Sequence, residues 1–186
     1  MTAIDATSTL TPPVSDRDHV QGSAHAKVTL VEYGDYECPY CGSAHPIVKQ
    51  LQDEMGTQMR FVFRNFPLSQ AHPYAQHAAI AAEVAGLHGE DEFWQMHDLL
   101  YEHQDALEDD DLVGYAESIG VPGAEVIEAF AGGEAAERVR ADFRSGVRSG
   151  VNGTPTFFVN GERYDGSWTD AQSFLAALRH AAKSRG

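Results

Sequence analysis

Apolar positions along the chain run first at strand spacing, then at helix spacing, then at strand spacing again. His19-Val20-Gln21-Gly22 predicts a short edge strand, followed by a loop over Ser23–Ala26. Lys27–Tyr33 is nearly continuously apolar through Val28, Leu30 and Val31. Such a run predicts a central strand covered on both faces. Glu32 is the one misfit in it. After Gly34–Glu37 the spacing becomes helical from Cys38 to about Met55, with Ile47, Val48 and Leu51 on one face. Pro39 suits the first helical turn, where its missing N–H costs nothing. Pro46 lies inside the helix and predicts a kink, and Gly56 ends the pattern. Met59–Phe63 predicts the next strand, closed by Arg64-Asn65-Phe66-Pro67.

From about His72 to Gly150 the spacing is helical throughout. One helix opens at His72-Pro73 and carries a small-residue face of Ala75, Ala78, Ala79 and Ala82. A second covers Glu92–His103, with Phe93, Met96, Leu99 and Leu100 at helical spacing. Asp109-Asp110-Asp111 precede a helix over Leu112–Ile119, where acids favour the dipole. Helices over Pro122–Ala131 and Glu134 to about Ser149 complete the block. Strand spacing returns at Thr156–Val159. Asn160-Gly161 is the strongest hairpin signal in the chain, with Glu162–Tyr164 as the partner strand. Thr169 or Asp170 caps a last amphipathic helix carrying Phe174, Leu175 and Leu178. The order is therefore β–α–β, a helical block, a β-hairpin, then α. It predicts the α/β class, one mixed sheet with helices on both faces. Residues 19–71 and 151–186 form the sheet unit, 72–150 an inserted helical domain, and 1–18 a mobile Thr/Ser/Pro/Asp-rich tail.

Composition narrows the partners. The 186 residues carry a net charge of −15 and only three lysines, Lys27, Lys49 and Lys183. Such a surface repels nucleic acid and anionic membranes. No apolar run approaches the roughly 18–20 residues of a membrane span. The N-terminus lacks both a basic start and an apolar segment of the secretory type, so a cytoplasmic location is expected.

Both cysteines, Cys38 and Cys41, lie in the Cys-Pro-Tyr-Cys turn. A disulfide closing so small a loop adds only about 2 kcal/mol, against nearly 5 for a 100-residue loop. Chemistry is the better reason for the pair. Cys38 at a helix N-terminus has its thiolate favoured by free N–H groups and the dipole. Cys41, one turn later, can reach it. Cys38 is therefore expected to be more exposed and to attack, with Cys41 more buried and resolving. Asp35 and Glu37 oppose the thiolate, each by roughly 0.7 kcal/mol at about 6 Å in water. The expected Cys38 pKa is depressed, but not extremely. Glu32, if buried beneath the cysteines, would have a raised pKa and could exchange a proton with Cys41. The alternative is a wet pocket, or an ion pair with Lys27, Lys49 or an arginine. Gly153-Thr154-Pro155-Thr156 enters a strand through a candidate cis bond, although trans is commoner at a strand start.

These residues together resemble the thioredoxin superfamily: CPYC after a strand, Pro46 in the helix behind it, and Thr154-Pro155 before the hairpin. The helical block makes the resemblance one to the DsbA-like branch, through VEYGDYECPYC, RNFPL, HPYAQHAAIAAEVA, FWQMHDLLYEHQDAL and GTPTFFVNG. It covers about Asp18 to the final helix. It implies a thioredoxin-like domain over 19–71 and 151–186. It implies a cis Pro155 facing the sulfurs, with the Thr154 backbone pairing an extended substrate segment. It also matches Glu32 to the buried acid of DsbA-like proteins. Pro39-Tyr40 departs from the Pro-His of DsbA and matches the glutaredoxin pair, which leaves the direction of electron flow open.

The expected function is thiol–disulfide oxidoreduction through a mixed disulfide. Its partners would be disulfide- or dithiol-containing proteins, small thiols and a redox-recycling partner. No prosthetic group is implied; glutathione is a candidate reductant. Two rival functions share the fold: a glutathione-dependent glutaredoxin-like enzyme, transferase or isomerase, and a non-catalytic peptide-binding or chaperone-like module. Zinc at Cys38, Cys41 and His45 lacks the usual fourth ligand, so no metal is assigned. His72, His77, His97 and His103 are expected at helix surfaces or starts. Phe93, Trp94 and Tyr101 are expected as core and groove lining.

Overall fold

The computed structural model describes residues 8–184. Its centre is β2 (Val28–Gly34), which pairs in parallel with β3 (Met59–Asn65) and antiparallel with β4 (Thr156–Val159). β1 (His19–Gly22) lies outside β3, and β5 (Glu162–Arg163) outside β4, giving the order β1-β3-β2-β4-β5. Every β2 residue except Thr29 is buried, as its apolar run predicts. Side chains alternate between the two faces of a strand. Val28 and Leu30 therefore join a core with α1 (Pro39–Met55) and α7 (Ala171–Lys183), while Val31 and Tyr33 pack with Val62, Phe66 and Phe158 on the other face. By the same alternation Glu32 points to the face that carries the cysteines.

Five helices lie between β3 and β4: α2 (Ala75–His88), α3 (Glu90–Glu102), α4 (Asp109–Ser118), α5 (Gly123–Phe130) and α6 (Glu134–Arg148). α2 starts later than its proline suggests. His72 is engaged by Asp35, and the Tyr74 N–H donates to Glu37 Oε2 at 2.7 Å, so this stretch ties the block to the cysteine loop. α4 starts earlier than expected, because Glu108 and Asp111 form a reciprocal capping box and the three aspartates become its first turn. Asp170 caps α7 by accepting from the N–H groups of Gln172 and Ser173. At the hairpin Asn160 and Gly161 have φ of 52° and 89°, the left-handed pair that a tight primed turn requires.

The tail expectation needs correction. Residues 1–7 lie outside the described residues, but 8–18 are held against the sheet at particular points. Leu10 is buried, its N–H bonds Gly161 O, and Ser8 O accepts from Arg163 N–H. Arg64 explains the rest. Its guanidinium, on the buried strand β3, needs acceptors out of water. It donates to Pro12 O, Pro13 O, both Asp18 carboxylate oxygens and Tyr33 Oη, at 2.8–3.3 Å. Composition alone showed a polar segment and not this anchor. Arg64→Ala leaves the buried Asp18 side chain with only the Ser15 N–H and a 3.9 Å contact to Arg138, and is expected to cost about 3 kcal/mol in urea unfolding. It should also expose residues 8–18 to limited proteolysis. A loss under about 1 kcal/mol with unchanged cleavage would refute the anchor.

Candidate active site

α1 begins immediately after Cys38, with Pro39 in its first turn. The Cys38 N–H donates to Asp35 O at 3.1 Å, closing the turn out of β2. Gln104, just beyond α3, donates from Nε2 to Tyr36 O (2.8 Å) and Cys38 O (2.9 Å). A side chain at position 42 would collide with Gln104, so Gly42 lets the helical block approach the cysteine turn. Cys38 is 3 % exposed, Cys41 0 % and Tyr40 67 %. The exposure order of the sulfurs follows expectation, but Cys38 is far more enclosed than expected. Its Sγ lies 3.5 Å from Thr154 O, and the Thr154–Pro155 bond is cis. Cys38, Cys41, Glu32, Thr154 and Pro155 thus come from three separate segments.

The two thiols are strongly unequal. Cys38 is brought down to about 5, chiefly by the hydrogen bond from the Cys41 thiol, against the effect of burial. The Thr154 side chain and the N–H groups of Cys41 and Tyr40 add to this. Cys41 is pushed well up by burial, then by its bond to Cys38 and the charges of Glu32 and Cys38. The depression exceeds the modest one expected because the Cys41 thiol donates to Cys38, while the nearby carboxylates are engaged elsewhere. Asp35 accepts from the N–H groups of Glu37 (2.8 Å) and Leu68 (2.9 Å) and pairs with His72 Nδ1 at 2.7 Å. Glu37 accepts from Tyr74 N–H. Burial disfavours charge on His72, but the bond and charge of Asp35, with Cys38 behind them, win and raise its pKa. The histidine absent from Pro39-Tyr40 therefore arrives 34 residues after Cys38, where Asp35 favours its protonated form. The His-Pro at the helix start was the only visible signal.

Glu32 is buried, paired in register with Phe63 on β3 and Phe157 on β4. The ion pair weighed as its alternative does not form: Lys49 bonds Asp98 at 2.8 Å, and Glu32 Oε1 has no partner among the described residues. Burial, then the charge of Cys38, raises the Glu32 pKa to about 8. At neutral pH it is mainly a neutral acid holding a proton. Tyr101 Oη is also buried without a partner, and after burial the charges of Cys41 and Glu32 act most strongly on it. Sequence reasoning placed Tyr101 in the core and missed its hydroxyl. His97 is a correction: it is buried among aromatic rings rather than on a helix surface, with Nδ1 3.0 Å from Tyr36 Oη. His45 pairs with Asp98, its Nε2 3.4 Å from Oδ1.

The sheet order and the CxxC pair at a helix start are those of a thioredoxin fold. The thioredoxin family model matches residues 14–178, and the chain belongs to that family. BdbD from Bacillus subtilis superposes with a TM-score of 0.83 at 24 % identity, covering 95 % of this chain and 97 % of that one. A thioredoxin-like oxidoreductase from Silicibacter pomeroyi gives 0.77 at 25 % identity, covering 91 % and 94 %. Among curated relatives, "Na(+)/H(+) antiporter NhaA 1" of Salinispora arenicola is 50 % identical over 172 residues, which are 92 % of this chain and 26 % of that protein. One from a Mycobacterium species is 42 % identical over 177 residues, 91 % of this chain and 28 % of that protein. The chain thus spans about a quarter of the length of these relatives.

Two measurements test the electrostatics. His72→Gln removes the imidazole that pairs with Asp35 and should raise the Cys38 pKa by about 0.5–1 unit, read from thiolate ultraviolet absorbance. No upward shift would discard this role. For Glu32 the folded pKa near 8 lies above the ordinary carboxylate value of 4.5. The folded state therefore holds a proton that the unfolded state has lost, and stability falls as pH rises through that window. The slope is at most about 1.4 kcal/mol per pH unit. Cys38 acts in the opposite sense between about 5 and 9. Unfolding free energies of reduced wild type and Glu32→Gln, differenced pH by pH, isolate the Glu32 slope. A flat difference from pH 5 to 8 would contradict the buried acid.

Proposed function

We propose that the Cys38–Cys41 pair exchanges disulfides with protein dithiols, Cys38 being the sulfur that meets the substrate. The observation that carries this is the unequal protonation of the two thiols at one site. In the oxidising direction a substrate thiolate attacks Cys38 Sγ, the Cys38–Cys41 bond breaks, and Cys41 leaves as a thiolate. Glu32, neutral at pH 7, gives Cys41 its proton. A second substrate thiolate then attacks the substrate sulfur of the mixed disulfide and expels Cys38 as a thiolate. Two electrons pass from substrate to enzyme, and the substrate gains the disulfide. A low pKa makes Cys38 a good leaving group and stabilises the reduced pair. Its value near 5 falls between the roughly 7 of thioredoxin and 3.5 of DsbA.

The substrate reading rests on three supports. Thr154 O beside Cys38 Sγ offers a backbone acceptor for an extended segment. Tyr40 stands exposed between the sulfurs. An apolar groove of about 770 Å³, lined by Leu68, Val139 and Phe143 among others, borders Leu68, whose N–H donates to Asp35. Small thiols, glutathione among them, are proposed as alternative electron donors, and a recycling partner closes the cycle. The compartment sets the net flow: a reducing cytoplasm keeps the pair as a dithiol, and an oxidising one keeps it as a disulfide. Ion transport, named for the longer relatives, is not proposed for this chain. No helix among the described residues is long and apolar enough to cross a membrane.

The reduction potential tests the proposal. Equilibration against glutathione should place the pair above thioredoxin's roughly −270 mV, toward the roughly −120 mV of DsbA. A value at or below the thioredoxin level would overturn the oxidising assignment. Cys41→Ser should accumulate mixed disulfides through Cys38 with a dithiol peptide. A variant that forms none, alongside a wild type inert to dithiols, would remove the redox function.

A further inference from the structure

We propose that His45, His97 and Asp98 form a binding site for one divalent transition-metal ion of the zinc class, clipping α1 to α3. One donor atom from each residue lies within 4.8 Å of the other two. His45 Nε2 and Asp98 Oδ1 stand 3.4 Å apart. Two ligands about 2.0–2.1 Å from one tetrahedral ion are separated by roughly the same distance, 3.3–3.4 Å. Asp98 Oδ1 is sealed from solvent and has no hydrogen-bond partner among the described residues. A carboxylate oxygen in that position is costly unless something positive meets it. Lys49 does not fill the role, because its Nζ lies on the other oxygen, Oδ2, at 2.8 Å. That contact orients the carboxylate and leaves Oδ1 aimed at His45.

His97 is held in the manner of a ligand. Tyr36 Oη lies 3.0 Å from Nδ1, and the Phe63, Trp94 and Tyr101 rings pack against the imidazole edge-on. In the Nδ1–H tautomer the Tyr36 hydroxyl accepts and the Nε2 lone pair is left for an ion, the usual support for a metal-bound histidine.

Donor chemistry sets the ion class. Two imidazoles and one carboxylate suit Zn²⁺, Co²⁺, Ni²⁺ or Cu²⁺. Ca²⁺ and Mg²⁺ take all-oxygen shells. Three protein ligands leave a position for water, and the Asp98 side chain is 32 % exposed, which gives solvent a way in. The cysteines contribute nothing, so the site stands apart from the redox pair, although His45 follows Cys41 by one helical turn. That spacing made Cys38, Cys41 and His45 the sequence's own candidate set. Folding gives His45 different companions.

The test removes thiolate binding with the Cys38→Ser/Cys41→Ser protein and titrates it with Co²⁺. One equivalent should bind, with visible d–d bands, no thiolate charge transfer, displacement by Zn²⁺ and none by Mg²⁺ or Ca²⁺. His45→Gln and Asp98→Asn on this background should each weaken binding at least about tenfold, with metal-free melting temperatures unchanged. Zn²⁺ should raise the melting temperature of the parent and not of either variant. Absence of saturable binding, or affinity unchanged in both variants, would overturn the site.

Discussion

Three groups that can carry negative charge, Cys38, Cys41 and Glu32, share one buried space, and the structure holds one full charge there at neutral pH. At an effective dielectric near 20, a second unit charge about 6 Å away costs about 3 kcal/mol, or about two pKa units. The site therefore places the charge where it is best solvated. Cys38 caps a helix N-terminus, with N–H groups, the Cys41 thiol and Thr154 around it. Cys41 and Glu32, deeper and without such donors, keep their protons. In the proposed exchange, proton and electron transfer would be coupled by this economy of charge, because Glu32 holds a proton when Cys41 leaves as a thiolate.

The rest of the fold serves that arrangement. β2 must be central, because only a strand covered on both faces carries Glu32 out of water. α1 must start immediately above it, which the Asp35–Cys38 turn secures. The helical block is more than a cover. His72 occupies Asp35, Gln104 holds the Cys38 carbonyl, and Tyr101 brings a hydroxyl without a partner toward Cys41 and Glu32. A carboxylate three residues before Cys38, adverse in the linear sequence, becomes a brace once it is hydrogen-bonded. The same block sets His97 and Asp98 opposite His45, so the helix bearing the cysteines is gripped at its start by Gln104 and further along by α3.

Much of this was legible in the chain because it is local. Period-2 and period-3.6 spacing located the strands and helices, Asn160-Gly161 located the hairpin, and Cys-Pro-Tyr-Cys at a strand–helix junction located the chemistry. Boundaries moved where side chains from elsewhere competed for backbone groups, as Glu37 does for Tyr74 N–H. The N-terminal segment was misread because its order comes from Arg64, about fifty residues away, and composition carries no record of such an anchor.

By itself, then, the sequence determined the element order, the pairing of two thiols one helical turn apart and the placing of Glu32 in an apolar strand. These follow from periodicities and helix-end chemistry within a few residues of each position. Tertiary structure alone decided how strongly Cys38 is acidified, what occupies Asp35 and which histidines meet which carboxylates. Those quantities depend on burial and on distances of a few ångströms between residues tens of positions apart, and charge energies change severalfold over that range as water is excluded.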